Sequence, residues 1–156
     1  MLSWSRRRVR ALAGAAGLAV VLALSAGCTG AEKSPDAARS FVSEGLDEAS
    51  SAVATSQLAV EQARAHRSFA TTVDVTLEDQ QADLVHATRH LAILVAPDVT
   101  VARLRDRALA ATNDATAAVT AARDALAHGR SLAAPSARLD RAADELDAVT
   151  GQVEAS

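Results

Sequence analysis

Between Val42 and Leu91 an apolar or small side chain returns at every seventh position: Val42, Ala49, Ser56, Ala63, Ala70, Leu77, Leu84 and Leu91. Leu46, Val53 and Val60 flank this column on one side early in the run, and Val73, Ala87 and Leu94 flank it on the other side later. This is the period of a helix with one inward face, whose neighbouring column changes partway. No glycine or proline interrupts it between Gly45 and Pro97. At its start Ser34 suits an N-cap, Pro35 the first helical position, and Asp36 the positive end of the helix dipole. The pattern predicts one helix over about 35–95, ~90 Å long at 1.5 Å per residue. Its weakest stretch is Thr71-Thr72-Val73-Asp74-Val75-Thr76, where five of six residues are β-branched. Thr76 and Asp79 also have the spacing of a capping box. A break at 71–76 would make two helices of one. Continuity is preferred because the stretch holds no Gly, Pro or Asn.

Ala96-Pro97-Asp98 is a clear interruption, with Asp98 placed to cap the next helix. Val101, Leu104, Ala108, Ala111, Ala115, Ala118, Ala122 and Ala125 then alternate three and four apart, a seam of alanine alone after Leu104. Leu109, Val119 and Leu126 widen that face. His128 and Gly129 suit a helix stop, so the second helix is expected over 98–128. After a loop at 130–135, Ser136 is the expected N-cap of a third helix over 136–154, whose seam is Leu139, Ala142, Leu146, Val149 and Val153. The expected fold is all-α: an elongated antiparallel bundle of three helices, the first very long, or of four if it breaks near 71–76. In the three-helix form the second helix retraces only half of the first. The stripe Val42, Leu46, Val53 and Val60 is then uncovered and calls for a protein partner or a second copy.

Composition sharpens this picture. Hydrophobic residues make up 49% of the 156-residue chain, but alanine supplies much of that, and beyond Trp4 the aromatics are Phe41 and Phe69. Alanine favours helix and buries little area, so long, closely packed helices are expected around a thin core.

The N-terminal segment has a different plan. Arg6, Arg7, Arg8 and Arg10 precede an apolar or glycine run from Ala11 to Leu24, and small residues Ser25, Ala26 and Gly27 lead to Cys28, the only cysteine. A basic leader, a short apolar run and small residues at the end make an export signal. The run is shorter than the ~20 residues of a membrane-spanning helix. Here the chain resembles bacterial lipoprotein precursors, although Ser25 stands where that family usually has leucine. The resemblance implies a diacylglyceryl group on the Cys28 thiol and cleavage just before it. An ordinary signal peptide with an incidental cysteine, or an uncleaved anchor, is the other reading of the same residues. On the lipoprotein reading 1–27 is the signal peptide, 28–34 a tether and 35–156 the helical domain. Removing four arginines takes the formal charge from −3 to −7, termini aside. An acidic surface disfavours nucleic acid and gives no pull towards anionic lipid, so attachment rests on the lipid itself. Likeness to small murein-linked helical lipoproteins is partial, because the C-terminal lysine they use for wall linkage is missing near Ser156.

One polar constellation invites a chemical reading. Asp79, Asp83, His86 and His90 are spaced four, three and four apart, within an arc of ~60° on a helix. Such residues can bind a divalent metal, yet side chains spread over three turns of one helix do not close a tetrahedral site. A solvated face stabilised by acid–histidine pairs is the plainer reading. His66 falls near the apolar side of a continuous helix and reads as a packed interface residue. Arg103, Arg105 and Arg107 are interrupted by Asp106 and read as a solvated face, as do Asp140, Asp144, Glu145 and Asp147. Neither a nucleophile motif nor a phosphate-cradling loop is present. The expectation is a non-enzymatic protein without a cofactor, lipid-anchored on the extracytoplasmic face of the cell membrane and working by protein–protein binding or scaffolding. The alternative is a metal-binding or sensing domain using the Asp79–His90 face.

Overall fold

The computed structural model describes residues 34–156. The leader, its cleavage point, Cys28 and all of the tether but Ser34 lie outside the described residues. Four helices occur in order: α1 (Pro35–Arg64), α2 (Ala70–Ala92), α3 (Val99–Ala127) and α4 (Ala133–Glu154). No strand occurs among the described residues.

The start of α1 is as expected. Ser34 Oγ accepts from the Ala37 amide at 3.2 Å, and Pro35 and Asp36 occupy the first turn. Its end is not. The continuous 35–95 helix does not exist, and the break falls at 65–69 rather than 71–76. Thr71–Thr76 lies wholly inside α2, and the Thr76 hydroxyl donates to the Thr72 carbonyl at 3.0 Å instead of capping a helix. What stops α1 is a pair of reverse bonds: His66 N–H to the Ala63 carbonyl (3.1 Å) and Arg67 N–H to the Gln62 carbonyl (2.9 Å). These are the two bonds of a Schellman motif, which requires a left-handed residue between them. That residue is His66, with φ 53°. Histidine enters this region more readily than most non-glycine residues, so the turn forms without glycine. His66 is therefore exposed in a turn and is not the packed interface residue expected from a continuous helix.

The remaining junctions obey ordinary capping chemistry. Asp98 Oδ1 accepts from the amides of Thr100 (2.8 Å) and Val101 (2.9 Å), starting α3 one residue later than expected. The α3 helix closes through a second Schellman motif, with Gly129 at φ 61°, Gly129 N–H on the Leu126 carbonyl (3.1 Å) and Arg130 N–H on the Ala125 carbonyl (2.8 Å). The α4 helix begins at Ala133, not at Ser136. Pro135 sits in its first turn, where its missing N–H costs nothing, and the Ser136 amide already donates to the Leu132 carbonyl at 3.0 Å.

Contacts between neighbouring helices define an up-down-up-down bundle. Glu48 in α1 meets His86 in α2, Asp74 in α2 meets Arg123 near the end of α3, and Gln57 in α1 meets Asp140 in α4. The α1 helix also meets α3 across the bundle, whereas α2 and α4 stay apart. Side-chain size explains this. The long helices α1 and α3 bury many small residues: Ala38, Gly45, Ala49, Ala52, Ser56 and Ala59 in one, and Ala108, Ala111, Ala115, Ala118 and Ala122 in the other. The short helices bring leucines: Leu77, Leu84 and Leu91 from α2, and Leu139 and Leu146 from α4, all fully buried. Small faces let two helices close on each other, and leucines fill the space on either side. Ser56 and Thr112 are buried within this core, and each hydroxyl donates at 2.8 Å to a carbonyl of its own helix, that of Ala52 and of Ala108.

The stripe Val42, Leu46, Val53 and Val60 is at most 1% exposed. Because the chain folds back after Arg64, the uncovered apolar surface expected of a long first helix does not arise.

The two halves repeat one plan. A helix of 30 residues, a turn and a helix of 23 are succeeded by a helix of 29, a turn and a helix of 22. In the short helices Val73, Leu77, Leu84, Ala87 and Leu91 precede Pro135, Leu139, Leu146, Val149 and Val153 by a constant interval, and all ten are buried. Both Schellman turns lie at the end of the bundle opposite Ser34.

Candidate functional site

The polar face singled out from sequence lies on α2, and α1 decides how it is used. His86 places Nδ1 2.7 and 3.0 Å from the two carboxylate oxygens of Glu48. His90 donates from Nε2 to the backbone carbonyl of Phe41 at 3.0 Å; a carbonyl only accepts, so this nitrogen carries the hydrogen. The His90 ring stacks on Phe41, with centroids 3.7 Å apart and planes 13° from parallel. Glu44 Oε2 stands 4.0 Å from the same nitrogen.

Gly45 makes this approach possible. A Cβ at that position would lie 2.8 Å from Leu91 Cδ2 and 3.2 Å from His90 Cδ2. With no side chain there, α2 sits close against α1 and the imidazole reaches the Phe41 carbonyl.

The histidines are thus engaged across the helix pair and are not aimed at each other. Asp79 and Asp83 are exposed further along α2. The structure does not bring the four residues together. Among the described residues no group of three or more His, Cys, Asp or Glu side chains is arranged to hold a metal ion. Sequence spacing places these residues on one arc, but it carries no information on Glu48, Glu44 and Phe41, the partners that α1 supplies.

Two other polar features are not visible from sequence. Arg123, half-buried on α3, reaches three residues of α2: Nε to Asp74 (3.2 Å), Nη1 to Gln81 (3.0 Å) and Nη2 to Glu78 (2.9 Å). The spacing of Asp74, Glu78 and Gln81 on one helical face is the available signal, without anything to name the arginine. Arg105 is more than a solvated residue, because its Nη1 donates to the Leu94 carbonyl at 3.1 Å and fixes the connector after α2. Arg103 is exposed as expected, and Arg107 donates to Gln152 on α4. Asp140, Asp144, Glu145 and Asp147 are exposed, with Asp140 accepting from Gln57.

A groove of about 310 Å³ runs between α3 and α4, lined by Asp114, Ala117, Arg138, Arg141 and Glu145 among others. No described helix is long and apolar enough to cross a membrane. No family model matches the chain, and no curated protein or solved structure shows significant similarity to it.

Proposed function

We propose that this chain is an exported lipoprotein, held on the extracytoplasmic face of the cell membrane through a lipid on Cys28, whose helical bundle binds or scaffolds another protein. The observation that carries this reading is the export-type leader that ends on the chain's only cysteine, six residues before the first capped helix. An unpaired thiol at that place in an exported chain has a use as an acylation site. The bundle supports binding over catalysis through what its polar groups do: Glu48–His86, His90–Phe41 and Arg123 with its three partners tie helices together. The outer faces carry the spare charge, and Arg138, Arg141, Asp144, Glu145 and Asp147 on α4 are the richest of them. With the Val42–Val60 stripe buried, the apolar reason for pairing with a second copy is gone, and a partner would meet the charged faces.

Metabolic labelling with palmitate and mass spectrometry of the processed N-terminus test the anchor. Label that depends on Cys28 and disappears in Cys28→Ala is expected. An intact leader, or a mature N-terminus without acyl mass, overturns it. Crosslinking in membranes followed by pull-down tests the binding role, and the α4 charges should set which protein is recovered.

A further inference from the structure

The end of the bundle nearest the proposed anchor carries an apolar connector. Between α2 and α3, Ile93 is 72% exposed and Val95 83%, and Val99, the first residue of α3, is 65% exposed. They are not side chains of a slack loop. Leu94 between them is buried, its carbonyl is held by Arg105, and Asp98 caps the next helix. A pinned backbone thus presents alternate apolar residues outward at a fixed place. The other exposed large hydrophobics, Leu58, Phe69 and Val75, lie on α1, in the turn after it and on α2, towards the opposite end of the bundle from the proposed anchor.

Topology gives the connector its meaning. Antiparallel packing puts it at the same end as Ser34, where α1 begins, and away from both Schellman turns. From Cys28 to Ser34 is six residue steps, which reach ~20 Å at full extension. If Cys28 carries the lipid, this end of the bundle is confined to within that distance of the membrane surface.

We infer that the Ile93–Val99 connector is a second membrane contact, inserting Ile93, Val95 and Val99 into the interfacial layer of the bilayer and standing the bundle on its end. This rests on the lipoprotein reading above. The acidic domain offers no attraction to anionic lipid, so the contact is apolar and is expected on zwitterionic membranes. It orients an already anchored molecule and does not by itself hold the protein to lipid.

The mature chain has no tryptophan, so single tryptophans report cleanly. Full-length Val95→Trp and Phe69→Trp, produced in an exporting bacterium, would be reconstituted into dioleoylphosphatidylcholine vesicles containing lipid brominated near the glycerol backbone. Flotation reads the anchor, and fluorescence reads the connector. The expected result is that both variants float, with Val95→Trp blue-shifted by about 10 nm and at least two-fold quenched, while Phe69→Trp keeps the emission of a water-exposed indole. Both variants floating with Val95→Trp unquenched, or with Phe69→Trp quenched instead, overturns the inference and leaves the anchor standing. Failure to float removes the anchor, and the inference falls with it. A Val95→Trp emission that shifts with protein concentration before lipid is added puts a second copy on the connector and also overturns the inference.

Discussion

His66 occupies a backbone position that glycine fills at the matching place in the second half. A non-glycine residue in left-handed geometry costs roughly 1–2 kcal/mol, and glycine at the same site costs more in unfolded-chain entropy. His66→Gly should therefore stabilise the protein by about 1 kcal/mol, read as a rise in Tm of about 3–5 °C by circular dichroism. His66→Val should lower it, because a β-branched side chain fits that region worst. Gly45 is the converse case. In an open helix Gly→Ala gains about 1 kcal/mol of propensity. Here the new methyl would meet the buried Leu91 side chain at 2.8 Å, and overpacking of this kind costs about 1–3 kcal/mol. Gly45→Ala should destabilise, whereas in a Leu91→Ala background the same change should stabilise. A double-mutant cycle from chemical denaturation reads this sign reversal. Without it, the glycine has some other reason to be there.

At the level of helices, much is legible in the amino-acid pattern alone, although the seven-residue column is buried only on either side of the break, at Val42, Ala49 and Ser56 and again at Leu77, Leu84 and Leu91, with Ala63 half-buried and Ala70 exposed. The alanine seam, Asp98 as a cap and the stop at Gly129 all correspond to observed features. The break in the first helix does not fall where β-branching points, for a physical reason. Gly, Pro and Asn are the residues that advertise a turn, and this turn uses histidine. A trace of it is present all the same: the flanking column changes sides between Val60 and Val73, and that change brackets the turn at 65–69. A straight helix has no cause to switch its buried face, so the switch is the stronger signal and β-branching the weaker. The start of α4 is hidden because Ser136 looks like a cap, while its hydroxyl in fact accepts from Arg64 at 3.2 Å. The candidate face on α2 is legible as an arc of residues and illegible as a site, since its partners lie on α1, some forty residues away in sequence. The division of labour between small residues and leucines can be tested directly. Ala115→Leu, at a fully buried position on α3, should cost about 1–3 kcal/mol by forcing neighbouring helices apart, whereas Ala117→Leu two residues on is exposed and should be close to neutral. Equal effects in a pair of urea titrations would mean that the alanines do not set the helix spacing.

For the molecule as a whole, fold-back converts an argument for assembly into one for self-sufficiency. The valines and leucine that a single long helix would leave bare are covered by the chain's own later helices. Residues 34–156, produced alone, should therefore elute as a single chain by size exclusion with light scattering. A dimer at micromolar concentration would require a contact other than the Val42–Val60 stripe.

The matched lengths and burial of the two halves carry a further consequence. Each helix pair ends in its own turn, and the polypeptide passes from one pair to the other only once, between Val95 and Asp98. Severing it there should leave two pieces that stay together as one particle, because what joins them is the shared interior rather than the covalent link. A chain of this kind behaves as a dimer that happens to have been sewn into a single strand.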